Sequence, residues 1–179
     1  MQAQDVLTFW FGELTPKQHF AKDAALDALI AQRFGGHLQA AARGELAHWR
    51  TDAAGRLAEI LILDQFARNI HRDTPLAFAH DALALTLAQE LVTGGGDAEL
   101  PLPQRAFAYM PYMHSESLAV HAQALPLFGQ PGLEDNLRFL HMHTDILRRF
   151  GRYPHRNAIL GRPSTPQELA FLQEPGSSF

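Results

Sequence analysis

Between Gly55 and Arg72 the chain reads GRLAEILILDQFARNIHR. Wound at about 3.6 residues per turn, its apolar positions Leu57, Ala58, Ile60, Leu61, Ile62, Leu63, Phe66, Ala67 and Ile70 point in every direction. The pattern predicts a central helix with almost no solvent face. Asp64, Gln65, Arg68 and Asn69 interrupt it on the directions held two turns earlier by Leu57, Ala58, Leu61 and Ile62. One face of a buried helix thereby turns polar, and each such group costs about 1–3 kcal/mol unless it finds a partner. The stretch implies either a tight internal network or a pocket.

The same reading extends to both sides. Asp5 to Phe11 is short and apolar and is closed by Gly12, and Thr15-Pro16 signals the start of a second helical region. That region keeps its period through Leu26, Leu29, Ile30, Phe34, Leu38 and Ala41 to Gly44, with Gly35-Gly36 as a break point. Thr51 or Asp52 caps the central helix, and Thr74-Pro75 starts another that ends at Gly94-Gly95-Gly96. Pro111 is expected to confine the next helix to Gln104–Tyr109. Ser115 caps a helix through Phe128 that Pro126 should kink, Leu133 to Phe150 forms the next, and Arg152 to Pro163 reads as a structured loop. Ser164-Thr165-Pro166 opens a terminal helix to about Gln173, and the terminal Phe179 is expected to pack rather than fray. No segment alternates with a period of two, so the fold class is all-α, built of helix hairpins with short connections.

Composition sharpens this picture in three places. With 179 residues, 46% of them hydrophobic, the chain supports one well-buried core, so a single helical domain over 1–179 is expected. No apolar run has membrane-spanning length and the N-terminus lacks the marks of a signal peptide, which points to the cytoplasm and away from the membrane. The absence of cysteine removes disulfides and thiolate chemistry, leaving His, Asp, Glu, Arg and Ser. Charge is uneven: residues 1–137 hold 9 Lys/Arg against 16 Asp/Glu, whereas residues 138–162 hold six arginines against Asp145 alone. An acidic bulk argues against nucleic acid, and a local arginine cluster suits a small anion or internal carboxylates.

Four motifs, DQFARN, MPYMHSE, RFGRYPHRN and LGRPST, together with FWFGE near the start and the terminal PGSSF, make the chain resemble the bacterial family called domain of unknown function 924. The resemblance implies a tetratricopeptide-like, right-handed superhelical array of antiparallel helix hairpins, and no settled activity. Ala67 stands where the family usually has proline, and His143 fits the family pattern while His141 lies outside it.

The candidate chemistry collects in these motifs. Asp64 and Arg68 are spaced i, i+4, which makes either an internal ion pair or an arginine held by Asp64 as an anion clamp. His114 and Glu116 flank a helix start, and His143 sits in a helix ahead of Asp145 and Arg149. RFGRYPHRN crowds Arg149, Arg152, His155, Arg156 and Asn157 into one loop, either as a clasp on helix ends and carboxylates or as a recognition loop for carboxylate or phosphate. The leading expectation is an internal pocket for a small anionic molecule, lined by Asp64, Arg68, Asn69, Arg149, Arg152, His155, Arg156 and Asn157. If there is catalysis, His114 or His143 is the acid or base, with Glu116 or Asp64 orienting it. Nothing marks a metal site, an organic cofactor, a phosphate loop or a nucleophile elbow. The rival expectation is a scaffold whose helical groove binds a peptide or protein partner. Oligomeric state is not encoded in any of these patterns.

Overall fold

The central helix exists and it is not uniform. A computed structural model describes residues 2–177, which leaves the expectation for Phe179 outside the described residues. α3 (Ala53–Leu61) passes without a break into a π-helical turn, Ile62–Phe66, and then into α4 (Ala67–Ile70). Leu57, Ala58, Ile60, Leu61, Ile62, Leu63, Phe66 and Ala67 are fully buried, as the all-round apolar pattern requires. Asp52, not Thr51, supplies the cap, with its carboxylate accepting from the Gly55 amide at 2.7 Å. Gly55 is there because the preceding turn comes very close: a Cβ at this position would lie 1.8 Å from the Trp49 carbonyl oxygen.

Around this rod the other helices pack in sequence. α1 (Ala3–Thr8) lies on α3 and continues as a second π-helical turn, Phe9–Glu13, which carries the apolar run past Gly12. α2 (Ala24–Ala42) packs on the π-turn of the rod and on α4. It begins later than Thr15-Pro16 suggests, since those residues lead only into a short 3-10 turn and Asp23 is the true cap. Gly35 and Gly36 do not break it. Each glycine weakens a helix by about 1 kcal/mol, and the burial of Phe34 and Leu38 on either side outweighs that.

α5 (Asp81–Thr93) packs on α3, α6 (Leu102–His114) on α5, α7 (Leu118–Phe128) on α6, and α8 (Glu134–Phe150) on α7. Two expectations fail here for related reasons. Thr74-Pro75 opens only a 3-10 turn, Pro75–Phe78, so α5 starts at Asp81. Pro111 does not stop α6: its ring is buried, and the helix runs on to His114 because packing supplies what the missing N–H takes away. α7 likewise runs through Pro126 to Phe128. Gly151, in the left-handed conformation at φ 71°, ends α8. The loop after it includes the 3-10 turn Pro154–Arg156, and α9 (Pro166–Phe171) starts from a Thr165–Glu168 capping box.

Among the described residues there is no strand, and no helix is long and apolar enough to cross a membrane. Nearly all the buried apolar residues described fall into two clusters. The larger runs from Val6 to Leu140 around the central rod, and the smaller joins Ile146, Leu147, Tyr153 and Phe171 beneath the C-terminal loop.

Candidate functional site

The π-turn places Asp64 almost wholly out of solvent, with 1% of its side chain exposed. Gln65 donates to its Oδ2 at 2.6 Å. From the other side, the last turn of α6 delivers His114, whose Nδ1 lies 2.6 Å from Asp64 Oδ1. A carboxylate only accepts, so Nδ1 carries the proton and Nε2 keeps its lone pair. Among the described residues no hydrogen bond reaches Nε2, and 16% of the His114 side chain is exposed. Had α6 ended at Tyr109, His114 would not be here.

Arg68, one turn beyond Asp64, reaches the Asp64 carbonyl at 2.7 Å and its carboxylate at 3.2 Å. Its main partner is Asp81, the first residue of α5, which it holds through two parallel bonds of 2.9 and 3.0 Å. Arg156 comes from the 3-10 turn after α8. Its guanidinium lies between the rings of Phe78 and Tyr153, 4.6 and 4.8 Å from their centroids. It donates to the His114 carbonyl at 3.0 Å and only distantly to Asp81 at 3.4 Å, and its buried Nε has no hydrogen-bond partner among the described residues. Two arginines thus share one carboxylate, and one of them is poorly served.

The electrostatics follow from this crowding. Burial opposes the Asp64 charge, but His114 and Arg68 more than offset it and hold the carboxyl well below its usual range. Burial, then Arg68, holds the His114 imidazole below its ordinary value, against the pull of Asp64. The short contact with Asp64 fixes the imidazole in one orientation, with Nδ1 as the donor and, in the neutral ring, Nε2 as the basic nitrogen. Burial and the neighbouring Arg68 also lower Arg156.

Of the residues singled out by sequence, the fold brings Asp64, Arg68, His114 and Arg156 together and sends the rest elsewhere. Glu116 does not orient His114. It accepts from Arg162 at 2.7 and 2.9 Å and from the Tyr153 amide at 2.7 Å, in a clasp that Asn157 extends by accepting from Arg162 Nε and donating to Ser164. Arg152 is held by Glu168 at 2.6 and 2.8 Å and by the Pro163 carbonyl. Asn69 turns to Asp27, which Arg72 also grips. Arg149 is half exposed, lies over Phe150 and Phe171, and comes no closer than 3.9 Å to Glu174.

His143 and His155 lie on Tyr153. His143 meets it edge-on and contacts the Phe139 carbonyl through Nδ1, and burial pushes it down to about 3. His155 stacks on the same ring and is pushed down to about 4, first by burial and then by Arg156. Three participants escaped the sequence reading: Asp81, Phe78 and Arg162. The signal for Asp81 was the charge count, since two clustered arginines beside a single Asp64 require a further carboxylate. Among the described residues, no group of three or more His, Asp or Glu is placed to hold a metal ion.

A model of a family of bacterial proteins of unknown function, DUF924, matches residues 6–176. The chain belongs to the DUF924 family. A solved structure of a protein of unknown function from Agrobacterium tumefaciens is similar to this DUF924 protein at 40% identity, with 96% of each chain covered and a TM-score of 0.91. No curated protein matches. Family and fold are thereby settled, and the chemistry of the DUF924 corner has to be argued from its own atoms.

Proposed function

We propose that this DUF924 protein binds a small anionic molecule at the corner formed by Asp64, Arg68, Asp81, His114 and Arg156, and that His114 Nε2 takes a proton from it or returns one. The observation that carries this is the 2.6 Å contact between Asp64 and His114 Nδ1, which leaves Nε2 as the basic nitrogen in a corner that also holds the Arg68 and Arg156 guanidinium groups. A buried carboxylate that fixes the tautomer and orientation of a neutral imidazole is the arrangement general acid–base chemistry needs. Arg156, clamped between two rings and short of acceptors, supplies a preorganised donor edge for an anion.

The test is a thermal-shift panel of sodium acetate, benzoate and phosphate against chloride at equal ionic strength. The wild type is expected to gain stability as an anion saturates it, by about 2.7 kcal/mol at a hundredfold excess over Kd. Arg156→Gln and His114→Gln should abolish that gain. A gain that survives in both variants rejects the reading.

One observation favours a second reading, a helical scaffold for a peptide partner. An open groove of about 440 Å³ is lined by Arg56, Thr86, Gln89, Glu90 and Thr93 on α3 and α5, away from the corner. A partner seated there would be lost on changing Arg56 and Gln89 and indifferent to Arg156→Gln.

A further inference from the structure

The corner already contains a carboxylate where a ligand's would go. Asp81 meets Arg68 through two parallel bonds of 2.9 and 3.0 Å, the geometry a free carboxylate adopts on a guanidinium. Its hold on Arg156 is much poorer, a single contact of 3.4 Å, because its backbone is tied to the first turn of α5. A carboxylate without that tether can approach both arginines closely.

Charge decides what such an exchange requires. Arg68 and Arg156 face Asp64 and Asp81, and the adjacent Glu116 and Arg162 neutralise each other. With His114 neutral, the corner holds two positive and two negative charges. An extra anion added to it would leave a surplus negative charge in a partly buried site, at a cost of several kcal/mol. An anion that replaces Asp81 leaves the balance unchanged. The balance holds for a monoanion and fails for a phosphate dianion.

Asp81 also has somewhere to go. It is the first residue of α5, where the unpaired amides of the helix start favour a negative charge, and the preceding His80 provides no side-chain cap. With 19% of its side chain already exposed, a rotamer change takes it from the arginines toward water and the helix end.

From these contacts we propose that Asp81 is a resident stand-in for the carboxylate of the ligand, and that the protein takes a monocarboxylate, which displaces Asp81 from Arg68 and Arg156. The inference rests on the anion-binding reading of this corner. In the filled state the ligand carboxylate bridges the two arginines, and the Asp81 carboxylate turns back to the start of α5. In the empty state Asp81 keeps the arginines paired and the site closed to bulk anions.

The experiment is calorimetric titration of the full chain with sodium propionate and with inorganic phosphate at matched ionic strength, in the wild type, Asp81→Asn and Arg156→Gln. Removing the competing charge should tighten propionate binding at least tenfold in Asp81→Asn and tighten phosphate less, while Arg156→Gln binds neither. If Asp81→Asn binds propionate no more tightly than the wild type, and Arg156→Gln still abolishes binding, displacement is overturned and the anion reading survives. A gain for phosphate equal to that for propionate overturns the monocarboxylate assignment. Absence of binding in both the wild type and Asp81→Asn overturns the anion reading and this inference with it. Should Asp81→Asn not fold alone, refolding in propionate against chloride keeps the test: recovery only in propionate supports displacement, and equal recovery overturns it.

Discussion

Two polar clusters lie close together at the C-terminal end of α6 and are built from the same kinds of residue, yet they differ in completeness. In the clasp, both oxygens of Glu116 accept from Arg162, the Tyr153 amide adds a third bond, and Arg162 Nε finds Asn157. In the corner, neither the His114 basic nitrogen nor Arg156 Nε has a hydrogen-bond partner among the described residues. Residue type does not separate these two clusters, since each holds arginine and carboxylate. What separates them is whether donors and acceptors are matched, and a matched cluster holds a fold while an unmatched one has capacity left for a ligand.

The largest test of that contrast is Glu116→Ala. It leaves Arg162 and the Tyr153 amide without acceptors, so unfolding in urea should show a loss of about 2–4 kcal/mol. A loss under about 1 kcal/mol would mean that water replaces Glu116 readily, and the clasp would no longer differ from the corner.

The dependence on pH, whose total is at least as large, probes the two histidines that lie on Tyr153. His143 is pushed down to about 3 and His155 to about 4, while each returns to about 6.5 in the unfolded chain. Between those values the unfolded state binds more protons, so stability falls on acidification from about pH 6.5, by about 1.4 kcal/mol per unit for each such histidine. The loss ends only below the folded values. His143→Asn should flatten the slope of unfolding free energy between pH 4.5 and 6.5, and an unchanged slope would show that His143 does not titrate on unfolding.

Much of this was legible beforehand, and the rest failed for identifiable reasons. The central rod and its neighbours follow from apolar period and caps, which are local properties. Pro111 and Thr74-Pro75 misled because local breaking signals give no information on whether packing overrides them. Asp64 and Arg68 stood out as charge on a helix that should be buried, His114 as a titratable group beside a helix start, and Arg156 as part of a loop crowded with arginines. Asp81 did not, because it lies in none of the motifs and its partner Arg68 is thirteen residues away along the chain. Asn69 and Arg152 found Asp27 and Glu168, partners that spacing along the chain cannot reveal.

Smaller effects sharpen the comparison further. Arg68 is matched, so its removal belongs with the clasp. Arg156 is not, and Arg156→Gln should change the stability of the empty protein by no more than about 1 kcal/mol, because relief of its repulsion with Arg68 offsets the lost contacts. A loss of 3 kcal/mol or more (roughly the cost of breaking a buried pair) would place Arg156 in the matched class and remove the case for a ligand. Smallest of all, Arg149→Ala, at an exposed 3.9 Å contact, should stay within about 0.5 kcal/mol in the same assay.

The proline inside α6 bears on the order in which the molecule assembles. A segment that contains Pro111 has little tendency to be helical on its own, so its last turn is expected to form only once the central rod and α5 are there to receive it. His114 rides on that last turn. The basic nitrogen of the corner is consequently a late product of folding, and amide hydrogens after Pro111 should gain protection from exchange after those of α3, so that a partly folded chain carries its core before it carries its chemistry.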